Sequence, residues 1–326
     1  RRRGSMNENR VMIIDALNMF LRAYIVDPSL SMNGDPIGGI KGSMKILQKM
    51  IRMIQPSQIV IVWDGPNGSR KRKQINSNYK EGRKPIRLNR NVNNLTDDEQ
   101  MINKVWQQGK TIEYFNEMPI MQLCVPEIEA DDVISYLVGC SHYDGWQKVI
   151  VSNDKDFLQL CDDYTLVYRP VKDEFVSRDK VVDEYGIHPT NMALARALIG
   201  DNSDNLPGIR GLGFKTVAKN FPYLKESKTY FLSNIVDSCE EKKRKLKVDE
   251  RVIEGQDRVA ENYKLMQLYS PTMSLQSKQK VDWNLENFKH EFSYIDILKM
   301  MRQDGFGELN WSDMKIYFDK MVKLNK

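Results

Sequence analysis

Nine carboxylates carry the strongest chemical signal in this chain, and they fall in five short stretches. Asp15 ends VMIID, Asp64 ends IVIVWD, and Glu129, Asp131 and Asp132 lie in EIEADD. Asp154 and Asp156 lie in SNDKDF, and Asp201 and Asp204 in GDNSDN. At about 4 Å two like charges repel by roughly 4 kcal/mol even at an effective dielectric near 20. Such acids sharing one pocket must raise their pKa values or gather cations. Oxygen ligands of this kind suit hard divalent ions, so Mg2+ is expected, with Mn2+ as a substitute. Two such ions about 4 Å apart serve in-line attack on a phosphodiester. Each stretch has a plainer reading. Asp commonly ends a strand and begins a turn, and acids after Pro126 favour a helix start. The helical spacing of Glu129 and Asp132 puts them on one face. Asp154 and Asp156 share a face if the preceding strand continues.

GDNSDN runs directly into LPGIRGLGFKT. Gly208, Gly211 and Gly213 permit tight turns and close approach by another backbone. Lys215 and Thr216 then open a helix whose first N–H groups favour phosphate. Two helices joined by such a turn can hold a duplex backbone without reading bases. A simple helix connector is the alternative. A second basic element spans Gly65 to Arg90, where Arg70, Lys71, Arg72, Lys73, Lys80, Arg83, Lys84, Arg87 and Arg90 are balanced only by Glu81. With Tyr79 among them, these charges suggest phosphate recognition, with Arg70, Arg72, Lys84 and Tyr79 as nucleic-acid contacts. A solvated charged loop is the alternative. The connection runs for roughly sixty residues, which in a compact domain usually marks function.

The elements that must position these groups are legible as strands alternating with helices. VMIID, IVIVWD and KVIVSND are β-branched runs of the kind covered on both faces. GSMKILQKMIRMI, ADDVISYLVGC, TNMALARALIG and FKTVAKNF read as helices, as does KTYFLSNIVDSCEEKKRKLK, whose EEKKRKLK run reads as a solvated face. Thr96 before DDEQ is a helix cap. The fold class is therefore α/β, a parallel-type central sheet with helices on both faces. Ligands bind such sheets beyond the carboxyl ends of the strands.

Composition narrows the setting. Of 326 residues, 49 are basic and 44 acidic, giving a formal charge of +5. Arg1 to Ser5 read as a cloning remnant ahead of Met6, and without their three arginines the charge is about +2, which argues little about partners. No apolar run approaches the roughly 20 residues of a membrane span, and RRRGSMNENR has no apolar segment that would make it a secretory signal. Four scattered cysteines and three histidines argue against a zinc site and suit a reducing, cytoplasmic setting.

In IIDALNMFLRAY, VWDG, NYKEGRK, EADD, SNDKDF and DEYGIHPTNMALARALIGDNSDNLPGIRGLGFKT the chain resembles the flap endonuclease-type 5′ nucleases. That family includes the 5′ nuclease domain of bacterial DNA polymerase I and stand-alone phage enzymes such as phage ribonuclease H. The likeness covers roughly residues 11 to 220. It implies a PIN-like α/β nuclease domain over 6–190, with a basic arch or clamp near 66–125. A helix-hairpin-helix near 190–222 and a helical C-terminal region would complete 190–326. The absence of a polymerase part is similar to a free-standing phage enzyme.

By resemblance, all nine acids are metal ligands, with Asp64 and Asp201 among the catalytic groups. Lys80 and Arg83 match residues that contact the scissile phosphate, Tyr79 takes a position suited to stacking on an unpaired base, and the glycine hairpin holds K+ in some members. The implied reaction is 5′-3′ exonuclease and flap endonuclease cleavage of branched or nicked duplex DNA and RNA primers. Implied partners are flap DNA, RNA–DNA hybrid, and a single-stranded DNA-binding protein or sliding clamp. A monomer is the simplest state. Ile86 to Val125 follows no family pattern, and the match after about Lys225 is loose. Two other readings stay open: a non-catalytic structure-specific DNA-binding protein, and a PIN-like RNA nuclease.

Overall fold

The computed structural model describes residues 9–83, 89, 92, 94–307 and 309–326. Lys84, Arg87 and Arg90 of the basic segment, and the N-terminal remnant, lie outside the described residues.

Six strands form one sheet in the order β3-β2-β1-β4-β5-β6. They are β1 (Arg10–Asp15), β2 (Gln58–Trp63), β3 (Met121–Cys124), β4 (Gln147–Val151), β5 (Thr165–Arg169) and β6 (Glu174–Val176). The first five run parallel and β6 is an antiparallel edge strand. Sequence reading found β1, β2 and β4, whose buried apolar runs are the longest. It missed β3 and β6, which are short edge strands, and β5, an inner strand whose TLVYR has only two consecutive aliphatic residues between polar ends.

Side chains alternate across the sheet as the strand period requires. Val11, Ile13, Val60, Val62 and Ile150 face one core, while Met12, Ile14, Ile59, Ile61 and Val149 face the other. The second core is closed by α1 (Ala16–Val26), α2 (Gly38–Ile54) and α4 (Asp97–Asn116). The first is closed by α5 (Ala130–Gly139), α7 (Pro189–Ile199) and helices after it. Between these lie α3 (Arg70–Ile75) and α6 (Arg178–Tyr185).

Beyond α7 come α8 (Phe214–Asn220), α9 (Leu232–Glu240), α10 (Lys247–Glu254), α11 (Gln256–Met266), α12 (Leu275–Asn287), α13 (Tyr294–Gln303) and α14 (Ser312–Leu324). The C-terminal region does not stand apart from the sheet. Ile297, Met301, Met314, Phe318 and Met321 return to the second core beside α1 and α2. Residues from 190 to about 288 extend the first. A boundary at 190 would fall inside α7, and the first core continues across it. Of the helix expected over KTYFLSNIVDSCEEKKRKLK only α9 forms; EEKKRKLK is not a solvated helix face but the end of α9 and the turn that leads into α10. Asp249, fully buried, binds Lys242 and the Leu246 N–H, which starts a new helix and turns the chain between them.

Candidate metal centre and nucleic-acid surface

The strand order runs β1-β2-β3 to one side and β4-β5-β6 to the other, so the sheet's topological switch lies between the neighbours β1 and β4. β2 flanks β1 on the other side. Asp15 is the last residue of β1 and is level with Val62, two residues before Asp64. Ile14 is level with Val151, three residues before Asp154. Three carboxylates thus leave three adjacent strands at the carboxyl edge.

Local sequence fixes each. Asp15 caps α1 and accepts from the Asn18 N–H at 3.4 Å and the Ser152 hydroxyl at 3.0 Å. Asp154 caps a 3-10 turn and accepts from the Asp156 N–H at 2.9 Å. Asp64 accepts from the Ala130 N–H at 2.7 Å, so it binds the start of α5, where Asp131 stands. The approach needs Gly65: a Cβ there would lie 1.8 Å from the Val125 carbonyl oxygen.

Charge coupling runs through this group. Burial, then Asp64 and Asp154, push the Asp15 carboxyl up to about 7. Burial, then Asp154, Asp15 and Glu129, drive Asp131 well above the usual carboxylate range. Burial and Asp154 push Asp156 to about 7 against the pull of Arg196. Burial raises Asp204 despite Lys80 and Arg83.

Basic side chains divide the nine acids. Arg72, 6 % exposed, donates to Glu129 at 3.0 Å, to Asp132 at 2.7 and 3.2 Å, and to the Leu265 carbonyl at 3.0 Å. Lys80 Nζ lies 2.7 Å from Glu129. Arg83 lies 3.0 Å from Asp204. Arg196 links Asp156 at 2.9 Å with Asp201 at 2.7 Å. Burial would raise Glu129, yet Arg72 and Lys80 hold it below its ordinary value. Burial likewise opposes, and Ser203 and Arg196 secure, a lowered Asp201. Glu129, Asp132, Asp156, Asp201 and Asp204 therefore have internal counter-ions. Asp15, Asp64, Asp131 and Asp154 form no ion pair among the described residues.

That division corrects several expectations. Among the described residues no three acidic, histidine or cysteine side chains are grouped so as to hold one ion, so the nine acids do not form one ready cage. Asp132 is 2 % exposed and is consumed by Arg72 and the Thr272 N–H. Glu129 is the extended residue that precedes α5 and only Asp132 is in the helix, yet both meet Arg72. Arg72 is itself sealed in this cluster, since two buried carboxylates needed a buried cation more than solvent did, and is no surface contact for nucleic acid. Tyr79 is 4 % exposed with its hydroxyl 3.3 Å from Glu129, so its ring is not free to stack on a base. Asp156 lies on a 3-10 turn and not on a strand face shared with Asp154, because β4 ends at Val151. Asp201 and Asp204 lie on a short strand and a 3-10 turn, not on a helix.

Donor chemistry still fits hard divalent ions. The four unpaired carboxylates offer oxygen ligands at one sheet edge, and their mutual repulsion would be relieved by a cation there. Sequence reasoning missed Arg196, although a lone arginine inside the apolar run ALARALI was a signal. It also missed Ser69 and Ser152, which donate to Glu129 at 2.8 Å and Asp15 at 3.0 Å.

The base of the basic segment is latched beside this edge. The Lys80 N–H donates to the Asp204 carbonyl at 2.9 Å, and Asn205 donates to the Asn78 carbonyl at 3.0 Å. Arg70 is exposed and pairs with Glu127, next to an open groove of about 780 Å³ lined by Asn67, Ser69, Arg70 and Lys73.

Across the pocket, α7, a two-strand ribbon of Gly200–Asp201 with Leu206–Pro207, and α8 carry the glycine loop. Gly208 sits where a Cβ would meet the Ile199 carbonyl oxygen at 2.0 Å. Gly211 has φ +94°. Ile209 and Leu212 are buried anchors, which leaves Arg210, Gly211, Lys215 and Thr216 exposed. The Thr216 hydroxyl accepts from the Gly213 N–H at 2.7 Å. No helix among the described residues is long and apolar enough to cross a membrane.

A switch-point sheet with acids at its carboxyl edge, a basic latch and a glycine hairpin defines a nuclease-like class of site. Residues 10–186, more than half of the chain, match the family described as 5′-3′ exonuclease, N-terminal resolvase-like domain, and the chain belongs to it. A 5′-3′ exonuclease of Aquifex aeolicus is 32% identical over 209 residues, covering 63% of this chain and 66% of that protein. The flap endonuclease Xni of Shewanella woodyi is 27% identical over 282 residues, covering 86% and 98%. Among solved structures, the T5 5′-exonuclease with bound zinc ions shares the fold, with a TM-score of 0.67 at 15% identity, covering 86% of this chain and 99% of that one.

Proposed function

We propose that the chain is a structure-specific 5′ nuclease that hydrolyses phosphodiesters of branched or nicked duplex DNA and of RNA primers, with Mg2+ as its ion and Mn2+ able to substitute. The observation that carries the reading is the convergence of Asp15, Asp64 and Asp154 from three adjacent strands, with Asp131 coupled to them and none of the four in an ion pair among the described residues. These four would hold the ions, and Glu129, Asp156, Asp201 and Asp204 would orient them through water or after losing their basic partners. Bound divalent ions supply charge for the attacking and leaving oxygens. The chain's own residues do the rest. Lys80 and Arg83 carry positive charge beside the acids and are set to meet the scissile phosphate. The glycine hairpin holds a second phosphate further along the duplex. We propose no potassium ion at the Arg210 carbonyl, because the Arg251 guanidinium 3.0 Å from it already places a cation there.

The membership of the family and the set of unpaired acids both disfavour a non-catalytic DNA-binding role, since uncompensated anions repel DNA. The test is cleavage of a labelled 5′-flap duplex with Mg2+, against a chelator control, by the wild type and Asp154→Asn. Expected is metal-dependent release of short 5′ products, lost in the variant while duplex binding persists. Equal cleavage by the variant, or cleavage with chelator present, would overturn the metal assignment. Cleavage of single-stranded RNA alone would favour an RNA nuclease instead.

A further inference from the structure

The basic run at Lys242–Lys247, which the site above does not use, is held in a defined turn beside the glycine hairpin. Fully buried Asp249 anchors it by binding Lys242 and the Leu246 N–H at 2.7 Å. Lys243, Arg244, Lys245 and Lys247 are left exposed, and none forms an ion pair among the described residues. One turn along α10 from Lys247, Arg251 donates to the Arg210 carbonyl of the hairpin at 3.0 Å. Gly255, at the α10–α11 corner, packs so closely on Ile209 that a Cβ would lie 2.5 Å from its Cδ1, and the exposed Arg258 guanidinium is at the same corner. The hairpin is thus seated on α10, and a helical turn is about 5.4 Å. Lys247 therefore lies about 5.4 Å along the helix from the residue that binds the hairpin, and the other three exposed bases closely precede it in the chain. Glu240 and Glu241 precede the run and Glu250 and Glu254 follow it, all four exposed, so against Lys243, Arg244, Lys245, Lys247 and Arg251 the net balance is +1, with four of the cations clustered in the turn.

We propose that this turn is a second phosphate-holding site, which grips the backbone of double-stranded nucleic acid beyond the hairpin. The inference rests on the nuclease reading for its ligand. Asp249 caps the start of α10, and α10 binds the hairpin directly, so the exposed charges are held at a set place relative to the hairpin. An acidic protein segment is the other ligand such charge would attract, and the test separates the two.

The experiment measures binding by fluorescence anisotropy in Ca2+ or chelator, so that no cleavage is required. Wild type is compared with Lys243→Ala/Arg244→Ala/Lys245→Ala/Lys247→Ala, which keeps the Lys242–Asp249 pair; a second variant, Lys243→Glu/Arg244→Glu, gives charge reversal. Flap substrates carry duplex arms of about 6 or about 20 base pairs. On the long arm the fourfold variant is expected to bind at least about tenfold more weakly near physiological salt, with the slope of log affinity against log salt smaller by about 2–3. On the short arm it should match wild type, and single-turnover cleavage at saturation should be unchanged. Equal long-arm affinity and salt slope in both variants would overturn the proposal. So would an equal loss on both arms, which would put the charges at the hairpin, and so would normal DNA binding with loss of binding to a polyglutamate peptide. Failure of the wild type to cleave any substrate would sink the nuclease reading alone, because the arm-length comparison does not depend on cleavage.

Discussion

Replacing Asp15 by Asn should stabilise the metal-free protein while removing its metal-dependent activity. The Asp15 carboxyl is raised from 3.8 to about 7, first by burial and then by Asp64 and Asp154. A carboxyl held above its unfolded value binds its proton more tightly in the folded state. The stability of the fold is unaffected by this group below about pH 3.8, falls progressively as pH rises, and stops falling above about pH 7. The full displacement corresponds to ~4 kcal/mol. Asp15 retains some contact with water, which lowers the gain to about 2–4 kcal/mol at pH 8 and to about 1 kcal/mol at pH 5.

Asn suits the site, because its oxygen can keep the Asn18 cap while its amide meets the Ser152 hydroxyl. Urea unfolding of wild type and Asp15→Asn in chelator, at pH 5 and pH 8, tests this. Added Mg2+ should then raise the wild-type midpoint at pH 8 and narrow the difference. A variant no more stable than wild type at pH 8, or a difference that does not grow between the two pH values, would refute the claim that these acids repel one another in the folded chain.

Three further outcomes follow from the same geometry. Arg72→Met strands Glu129 and Asp132 in a buried cluster and should cost about 3–5 kcal/mol in urea unfolding, with DNA affinity nearly unchanged where the protein is folded; normal stability with weakened binding would return Arg72 to the nucleic-acid surface. Lys80→Ala should slow single-turnover cleavage at saturating substrate more than it weakens binding, and a pure affinity loss would contradict a role at the scissile phosphate. Gly208→Ala, whose Cβ would sit 2.0 Å from a carbonyl oxygen, should destabilise by more than about 3 kcal/mol. Gly213→Ala, with open space at its Cβ, should cost no more than about 1 kcal/mol; similar melting curves for the two would refute the packing argument.

What could be read in the sequence follows the reach of each force. β1, β2 and β4 were legible because strands covered on both faces need unbroken apolar runs, and each is followed closely by an acid. The Thr96–Glu99 capping box was legible because it is local. The fates of Arg72 and Tyr79 were not, because a basic run looks the same whether its members face water or a carboxylate sixty positions away. Arg72 meets Asp132 across exactly that separation. The α9–α10 break was hidden for a related reason: EEKKRKLK is made of good helix formers with no Gly or Pro to stop them, and the cap that restarts the helix is Asp249, beyond the run. Spacing also misassigned Asp156, since the end of β4 depends on its neighbours in the sheet and not on its own residues.

The split between five paired and four unpaired acids bears on how the site would work. Had all nine been unpaired, the repulsion among them would compete with the few kcal/mol that hold a domain together. Had all been paired, nothing would draw a divalent ion. Arg72 and Arg196 are buried and tied to two carboxylates each, so they act as permanent counter-ions. Lys80 and Arg83 are more accessible, and their partners Glu129 and Asp204 stand at the border of the unpaired set. An arriving phosphate competes for these two cations, while a divalent ion competes for the acids they neutralise. Both exchanges run in the same direction: each makes the other easier, because the cation released from a carboxylate is the one a phosphate needs. Affinity for a flap duplex and for Mg2+ should therefore be mutually reinforcing, and Lys80→Ala should weaken that coupling while leaving the Arg72 cluster intact.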